Sequence, residues 1–548
     1  MATRRNAADL LVRCLENEGV DYVFGIPGEE NIHIMDALAQ SRIRFVTTRH
    51  EQGAAFMADV YGRLTGRAGV CLATLGPGAT NLITGVVDAN MDRAPLVAIA
   101  GQAATTRMHK ESHQMLDLAA LFSHCTKFSA KVLEPEIVPE VVRKAFKLAQ
   151  TEKPGASFIE VPENVAQMAA QRLEPLKVQA PAIPRAPQAK IDQIARLIDA
   201  AEAPLILVGN GAIRQRASAA VVAFIERLNL PAVTTFMAKG AVPFSHPLFL
   251  GTIGLQARDP VAFGLDGADL VLCIGYDMVE YDPARWNPKR DKRIVHIDSA
   301  PAEVDAHYIL AAGIVGHIAD ALDRIANQAT PKPEGTGKHL HANLVQVAQQ
   351  GADDTAYPLK PQRVIADLRR AMADEGVLVC DVGAHKLWVA RLFPAERPNT
   401  CIISNGFAAM GIALPGAVAA KLALPERRVV AVSGDGGFLM NSQELETAVR
   451  LGVAITVLVL RDGKYGVIQH HMDTRLGRHF GVDFGNPDLV AYAESFGVRG
   501  YRIERAEDLL SAFKSALQEK APSLIDCPID YRENEKLGQA LGEVICQG

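Results

Sequence analysis

No stretch of this chain is apolar for long enough to cross a bilayer. The longest apolar runs, such as residues 454–460, fall far short of the roughly 18 residues that suggest a span. The first residues, Met1-Ala-Thr-Arg-Arg-Asn, lack the apolar core of a secretory signal. Basic excess is missing too: the formal net charge is −5, which is not the footprint of a nucleic-acid binder. There is no Cys-x-x-Cys pair. Eight cysteines stand scattered at 14, 71, 125, 273, 380, 401, 527 and 546. Several, such as Cys273 in Leu-Val-Leu-Cys-Ile-Gly, lie in apolar runs and read as reduced thiols used as small core residues. These absences lead us to expect a cytoplasmic protein with no nucleic-acid or membrane partner.

What is present is ordinary globular material. Of 548 residues, 49% are hydrophobic and 22% charged, ample for several buried cores. At roughly 100–200 residues per domain this length suggests about three domains. Two Pro/Gly-rich stretches read as linkers. One is 173–190, with Pro175, Pro181, Pro184 and Pro187; the other is 328–339, with Pro331, Pro333, Gly335 and Gly337. They divide the chain into domains at 1–172, 188–330 and 340–548.

Each domain alternates short β-branched runs with longer amphipathic segments. Tyr22-Val-Phe-Gly ends in the turn Ile26-Pro-Gly, and further strands are expected at 44–48, 70–75, 204–208, 231–235, 270–275, 377–381, 428–433 and 454–460. Near-continuous apolar strands separated by helices imply parallel sheets covered on both faces. The expected fold is therefore α/β, with three doubly wound parallel-sheet domains whose ligands sit beyond the carboxyl ends of the strands.

The strongest local signal is Val429-Val-Ala-Val-Ser-Gly-Asp-Gly-Gly-Phe438, a strand running into glycines. A helix is expected after it, over 440–451. Glycines there let a backbone approach a phosphate, and a helix start offers free N–H donors. A bare diphosphate would repel Asp435 unless a cation lay between them, and Mg²⁺ shares oxygen ligands with phosphates in this way. A second oxygen ligand is then needed nearby. Asp462 supplies one at the end of the strand 454–460, in Arg461-Asp462-Gly463-Lys464-Tyr465-Gly466.

Gly-Asp-Gly followed by a second Asn or Asp at this spacing resembles the signature of thiamine-diphosphate enzymes. Phe24-Gly-Ile-Pro-Gly28, Ala73-Thr-Leu-Gly-Pro-Gly-Ala-Thr-Asn81, Pro154-Gly-Ala-Ser-Phe-Ile-Glu-Val-Pro162 and Asn405-Gly-Phe-Ala-Ala-Met-Gly411 are similar to the acetolactate synthase family, and the likeness runs over nearly the whole chain. It implies pyrimidine-binding, central and diphosphate/Mg-binding domains in that order. It implies that Asp435, the Asp462 side chain and the Lys464 carbonyl oxygen hold Mg²⁺, although the family usually has Asn where Asp462 stands. Gly383, Ala384, His385, Gly436 and Gly437 would meet the diphosphate, with Asp462 and Tyr465 also lining the coenzyme. Met410 would wedge beneath the coenzyme and keep it bent.

Glu51, in Arg49-His50-Glu51-Gln52-Gly53-Ala54-Ala55-Phe56-Met57, reads locally as the first residue of an amphipathic helix, where the helix dipole favours it. By resemblance it touches N1′ of the aminopyrimidine, and its apolar neighbours suggest a partly dry site. Gln114 matches a glutamine that approaches the reacting centre. The activity implied is decarboxylation of pyruvate and transfer of the two-carbon unit to a second 2-keto acid. A 2-keto-acid decarboxylase or carboligase of the same superfamily is the alternative. The resemblance also implies a homodimer or dimer of dimers, with the coenzyme bridged between chains. The stretch Gly275-Tyr-Asp-Met-Val-Glu-Tyr-Asp-Pro283 departs from the flavin-containing branch, as does Lys464-Tyr-Gly-Val-Ile-Gln469. No FAD is expected.

Overall fold

A computed structural model describes residues 6–170, 173–179, 182–254, 260–333, 335 and 337–534. Its strands form three six-stranded sheets, and every strand pairing within them is parallel. The first sheet holds β1 (Tyr22–Gly25), β2 (Arg44–Thr47), β3 (Gly69–Ala73), β4 (Leu96–Gln102), β5 (Phe128–Lys131) and β6 (Ala156–Pro162), in the order β2-β1-β3-β4-β6-β5. The second holds β7 (Pro204–Val208), β8 (Ala232–Thr234), β9 (Phe249–Thr252), β10 (Leu270–Ile274), β11 (Arg293–Asp298) and β12 (Leu310–Val315), in the order β12-β11-β10-β7-β8-β9. The third holds β13 (Val377–Cys380), β14 (Cys401–Ile403), β15 (Val429–Gly434), β16 (Thr456–Arg461), β17 (Arg499–Arg502) and β18 (Ser523–Pro528), in the order β14-β13-β15-β16-β18-β17.

The first and third sheets thus share one winding, and the middle sheet has the order of a dinucleotide-type fold. The three doubly wound sheets are those the sequence pattern predicts. Their central strands are buried along their whole length, as in Gly69–Ala73, Leu270–Ile274 and Ser523–Pro528. Valine, leucine and isoleucine on both faces pack under the covering helices. Six of the seven described cysteines are buried and Cys125 is half-buried, all with free thiols. Cys546 lies outside the described residues.

The chain separates into two compact units. One comprises 1–181, 406–426 and 441–453; the other comprises 182–405, 427–440 and 454–548. In the first unit the helix Glu51–Thr65 packs on the helices Gly76–Met91 and Ala413–Ala423. Small residues permit the approach: a Cβ on Gly85 would lie 2.6 Å from that of Ala55.

The helix expected over 440–451 is instead two. One runs from Asp435 to Asn441 and the other from Glu444 to Leu451. The break follows Asn441, whose side-chain amide donates to the Gly411 carbonyl at 3.0 Å and to Gln52 Oε1 at 3.4 Å. No described helix is long and apolar enough to cross a membrane.

Candidate active site

In the first unit Glu51 opens the helix that follows β2. The His50 ring caps it by accepting from the Gln52 N–H. Glu51 is 8% exposed, and Asn81 Nδ2 donates to its Oε2 at 3.0 Å. A Cβ on Gly78 would sit 3.3 Å from Glu51 Oε1, so the chain after β3 folds against the carboxylate. Asn81 closes the quoted Ala73–Asn81 motif, yet sequence reasoning gave it no role; its place in that motif was the available signal.

Gln114 is exposed and left-handed, with φ +56°. Its carbonyl lies against Gly76, itself at φ +45°, where a Cβ would approach to 2.7 Å. Gln114 therefore stands beside the start of the helix that carries Asn81. Met410 is half-buried. The Asn441 amide joins the Gly411 carbonyl to Gln52, the neighbour of Glu51. Glu51, Gln114 and Met410 thus belong to one unit.

The remaining expected residues belong to the other unit. β15 pairs directly with β16, Gly434 opposite Leu460, so the strand ends before Asp435 and Asp462 are neighbours. Asp435 is 1% exposed. Its Oδ2 accepts from the Gly463 N–H at 2.8 Å and from Asn486 Nδ2 at 2.7 Å, and its Oδ1 from the Gly436 N–H at 3.0 Å. Asn486 was missed: it comes from a loop with no local motif. Burial, then the Asp435 carboxylate, pushes the Asp462 carboxyl up to about 7. Two carboxylates so placed call for a cation. Lys464 turns its ammonium to Asp483, 3.2 Å away. The Tyr465 ring packs on Phe484 and leaves room only for glycine at 436, where a Cβ would come within 2.9 Å of it.

At the ends of β13 and β15, Gly383 and Gly434 border the His385 ring. His385 is buried, its Nε2 has no partner among the described residues, and burial pushes its imidazole down to about 4. It is therefore neutral, with a polar nitrogen awaiting a partner. The helix Ala384–Leu392 begins here, so Ala384 presents its backbone at the same strand edge. A Cβ on Gly437 would press the Asp381 carboxylate at 3.1 Å. Cavities of about 590 and 420 Å³ flank Asp462, one reaching Asn486 and Arg502, the other Lys464 and Tyr531.

The donor set fits Mg²⁺ and a diphosphate. It offers paired carboxylates, an orphaned buried nitrogen, and glycines at strand ends next to helix starts. No group of three His, Cys, Asp or Glu side chains among the described residues forms a metal cluster. Two acidic side chains leave positions to backbone and phosphate oxygens, as Mg²⁺ prefers.

Comparison with known proteins points to thiamine diphosphate. Residues 5–121 match the N-terminal TPP binding domain of thiamine pyrophosphate enzymes, 191–325 their central domain and 381–527 their C-terminal TPP binding domain. Together these define a thiamine-diphosphate enzyme. The chain is 38% identical to the acetolactate synthase of Bacillus subtilis (strain 168), over 99% of its own length and 97% of that protein. It is 36% identical to the catabolic acetolactate synthase of Raoultella terrigena, over 97% and 96% of the two chains. Its identity to the acetolactate synthase large subunit of Corynebacterium glutamicum is 34%, over 95% and 86%. The chain belongs to the acetolactate synthase family of thiamine-diphosphate enzymes.

Proposed function

We propose that this enzyme makes acetolactate from two pyruvates, with release of CO₂. The observation that carries the reading is end-to-end likeness to acetolactate synthases, one of them catabolic. When bound, thiamine diphosphate supplies the nucleophilic carbon and the electron sink for decarboxylation. The protein's part is to hold, dry and orient. Asp435, Asp462 and the Lys464 carbonyl would hold Mg²⁺. Gly383, Ala384, His385, Gly436 and Gly437 would receive the diphosphate, with Tyr465 alongside, and Met410 would support the ring system. Glu51, buried and directed by Asn81, would hold and release a proton at the pyrimidine nitrogen. Gln114 would meet the 2-keto acid.

The reading extends to a working homodimer or dimer of dimers in the cytoplasm, with domains at 1–172, 188–330 and 340–548. It excludes FAD. Supporting that, the Glu280 carboxylate fills the start of the helix after β7, where it accepts the Asn210 N–H at 3.0 and 3.1 Å. A nucleotide phosphate would compete for that donor.

The test is to incubate purified protein with pyruvate, thiamine diphosphate and Mg²⁺ and to identify the product. Acetolactate is expected. Acetaldehyde as the main product would replace this reading with a simple decarboxylase.

A further inference from the structure

The turn that carries Met410 is strained. Ala408 lies at φ +56° and Gly411 at φ +93°, and a non-glycine residue holds a left-handed conformation only where its surroundings fix it. Two carboxylates at the end of the helix Gly76–Met91 do the fixing. Asp92 Oδ1 accepts the Gly406 N–H at 2.5 Å, and Asp88 Oδ1 accepts the Ala409 N–H at 3.2 Å. Arg63, in the helix Glu51–Thr65, donates to Asp92 Oδ2 at 3.0 Å, with side-chain exposures of 7% and 0%. All of these residues belong to the same compact unit.

One turn before Arg63 stands Asp59. It is 0% exposed, and neither of its carboxyl oxygens has a hydrogen-bond donor among the described residues. Its charged neighbours are Asp88, Arg63 and Asp92. Strands β1, β3 and β4, packed against this helix, carry no charged side chain, and the helix Ala413–Ala423 carries only Lys421. Burial first, then the Asp88 charge, drives the Asp59 carboxyl well above the usual carboxylate range. A buried acid needs an acceptor for its proton, and the carboxylate that acts on it most strongly is Asp88.

We propose that Asp59 and Asp88 share one proton and, with the Arg63–Asp92 ion pair, are positioning residues that hold the 405–411 turn, and through it Met410, in shape. Asp59 and Asp88 then share that proton, Asp92 faces the Arg63 guanidinium, and Asp92 and Asp88 accept the Gly406 and Ala409 N–H groups. The inference rests on the proposed role of Met410 under the coenzyme.

Three measurements on the full-length protein test it. In infrared difference spectra, wild type at neutral pH shows a protonated-carboxyl stretch that Asp59→Asn removes. In amide hydrogen exchange without coenzyme, the segment 405–411 is protected in wild type. Asp59→Asn, whose amide replaces the shared proton, keeps that protection within about twofold. Asp59→Leu and Asp88→Ala accelerate exchange there by roughly tenfold or more, while strand β4 stays at wild-type rates. Thiamine diphosphate affinity, read by fluorescence quenching, weakens in the same order. Absence of the acid band, or unchanged exchange at 405–411 in Asp88→Ala, overturns the proposal. Failure of wild type to bind thiamine diphosphate would instead strike the coenzyme reading, and the first two measurements would still judge the anchor.

Discussion

Glu51 and Asp435 are buried carboxylates given different surroundings, and the difference underlies the separate tasks proposed for them. Asp435 receives Gly463 N–H, Asn486 and Gly436 N–H, donors that fix the direction of its oxygens. Glu51 has Asn81 on Oε2 and the buried residues 53–58 of its own helix behind it. Glu51→Gln should bind thiamine diphosphate as wild type does but lose roughly 10²- to 10⁴-fold in turnover, the usual worth of a positioned acid–base group. Wild-type rates in that variant would remove Glu51 from the reaction. Calorimetry of Asp435→Ala should show no Mg²⁺-dependent retention of coenzyme; retention equal to wild type would refute the metal assignment. At this scale the sequence singled out Glu51, Asp435 and His385 because each follows a strand within a quotable motif, and the structure buries all three. The sequence was illegible for Asn486, Asp59, Asp88 and Asp92. Their roles arise when distant segments close over them, and charges in an amphipathic helix otherwise read as solvated.

Among elements, the junction after β15 shows the limit of periodicity. Residues 440–451 have a helical pattern, yet the chain starts its helix at Asp435, breaks after Asn441 and resumes at Glu444. Tertiary partners outweigh the pattern there: Asn441 is drawn to Gly411, and Glu444 accepts the Arg49 and His50 N–H groups through Oε1 at 3.0 and 3.1 Å. Burial pushes Glu444 up from 4.5 to about 7, partly opposed by the Thr447 hydroxyl and those two N–H groups. The sign follows directly. Between pH 4.5 and about 7 the folded chain retains a proton that the unfolded chain has released, so stability is greatest below that window and declines as pH rises through it. Glu444→Gln keeps an oxygen for both N–H groups and never ionises. Its melting temperature should gain on wild type between about pH 5 and about pH 8, corresponding to on the order of 1–3 kcal/mol. A gap independent of pH would show that Glu444 does not titrate in this range.

For the molecule as a whole, the three parallel sheets were readable because strands buried on both faces leave near-continuous apolar runs. The winding of each sheet was not, since strand order depends on which crossovers pack together. Linkage offers a global check on the proposed coenzyme. The Mg²⁺–thiamine diphosphate complex, at about a hundred times its dissociation constant, should stabilise the fold by about 2.7 kcal/mol. Scanning calorimetry should show the rise in melting temperature only when both are present; an equal rise with either alone would contradict a shared site. The purified enzyme should also be colourless in the visible, and a flavin band would overturn the exclusion of FAD.

The first compact unit is not contiguous in the chain. It takes in residues 406–426 and 441–453 as well as 1–181, and the helix Ala413–Ala423 packs directly on the helix Glu51–Thr65. On the ribosome, at 5–20 residues per second, the interval between residues 181 and 406 lasts roughly ten to forty-five seconds. For that time the alanine- and glycine-rich flank of the nascent helix has no cover. A truncation ending near residue 181 would keep it bare permanently, so such fragments should be sticky and dependent on holding chaperones even though the first sheet is complete within them.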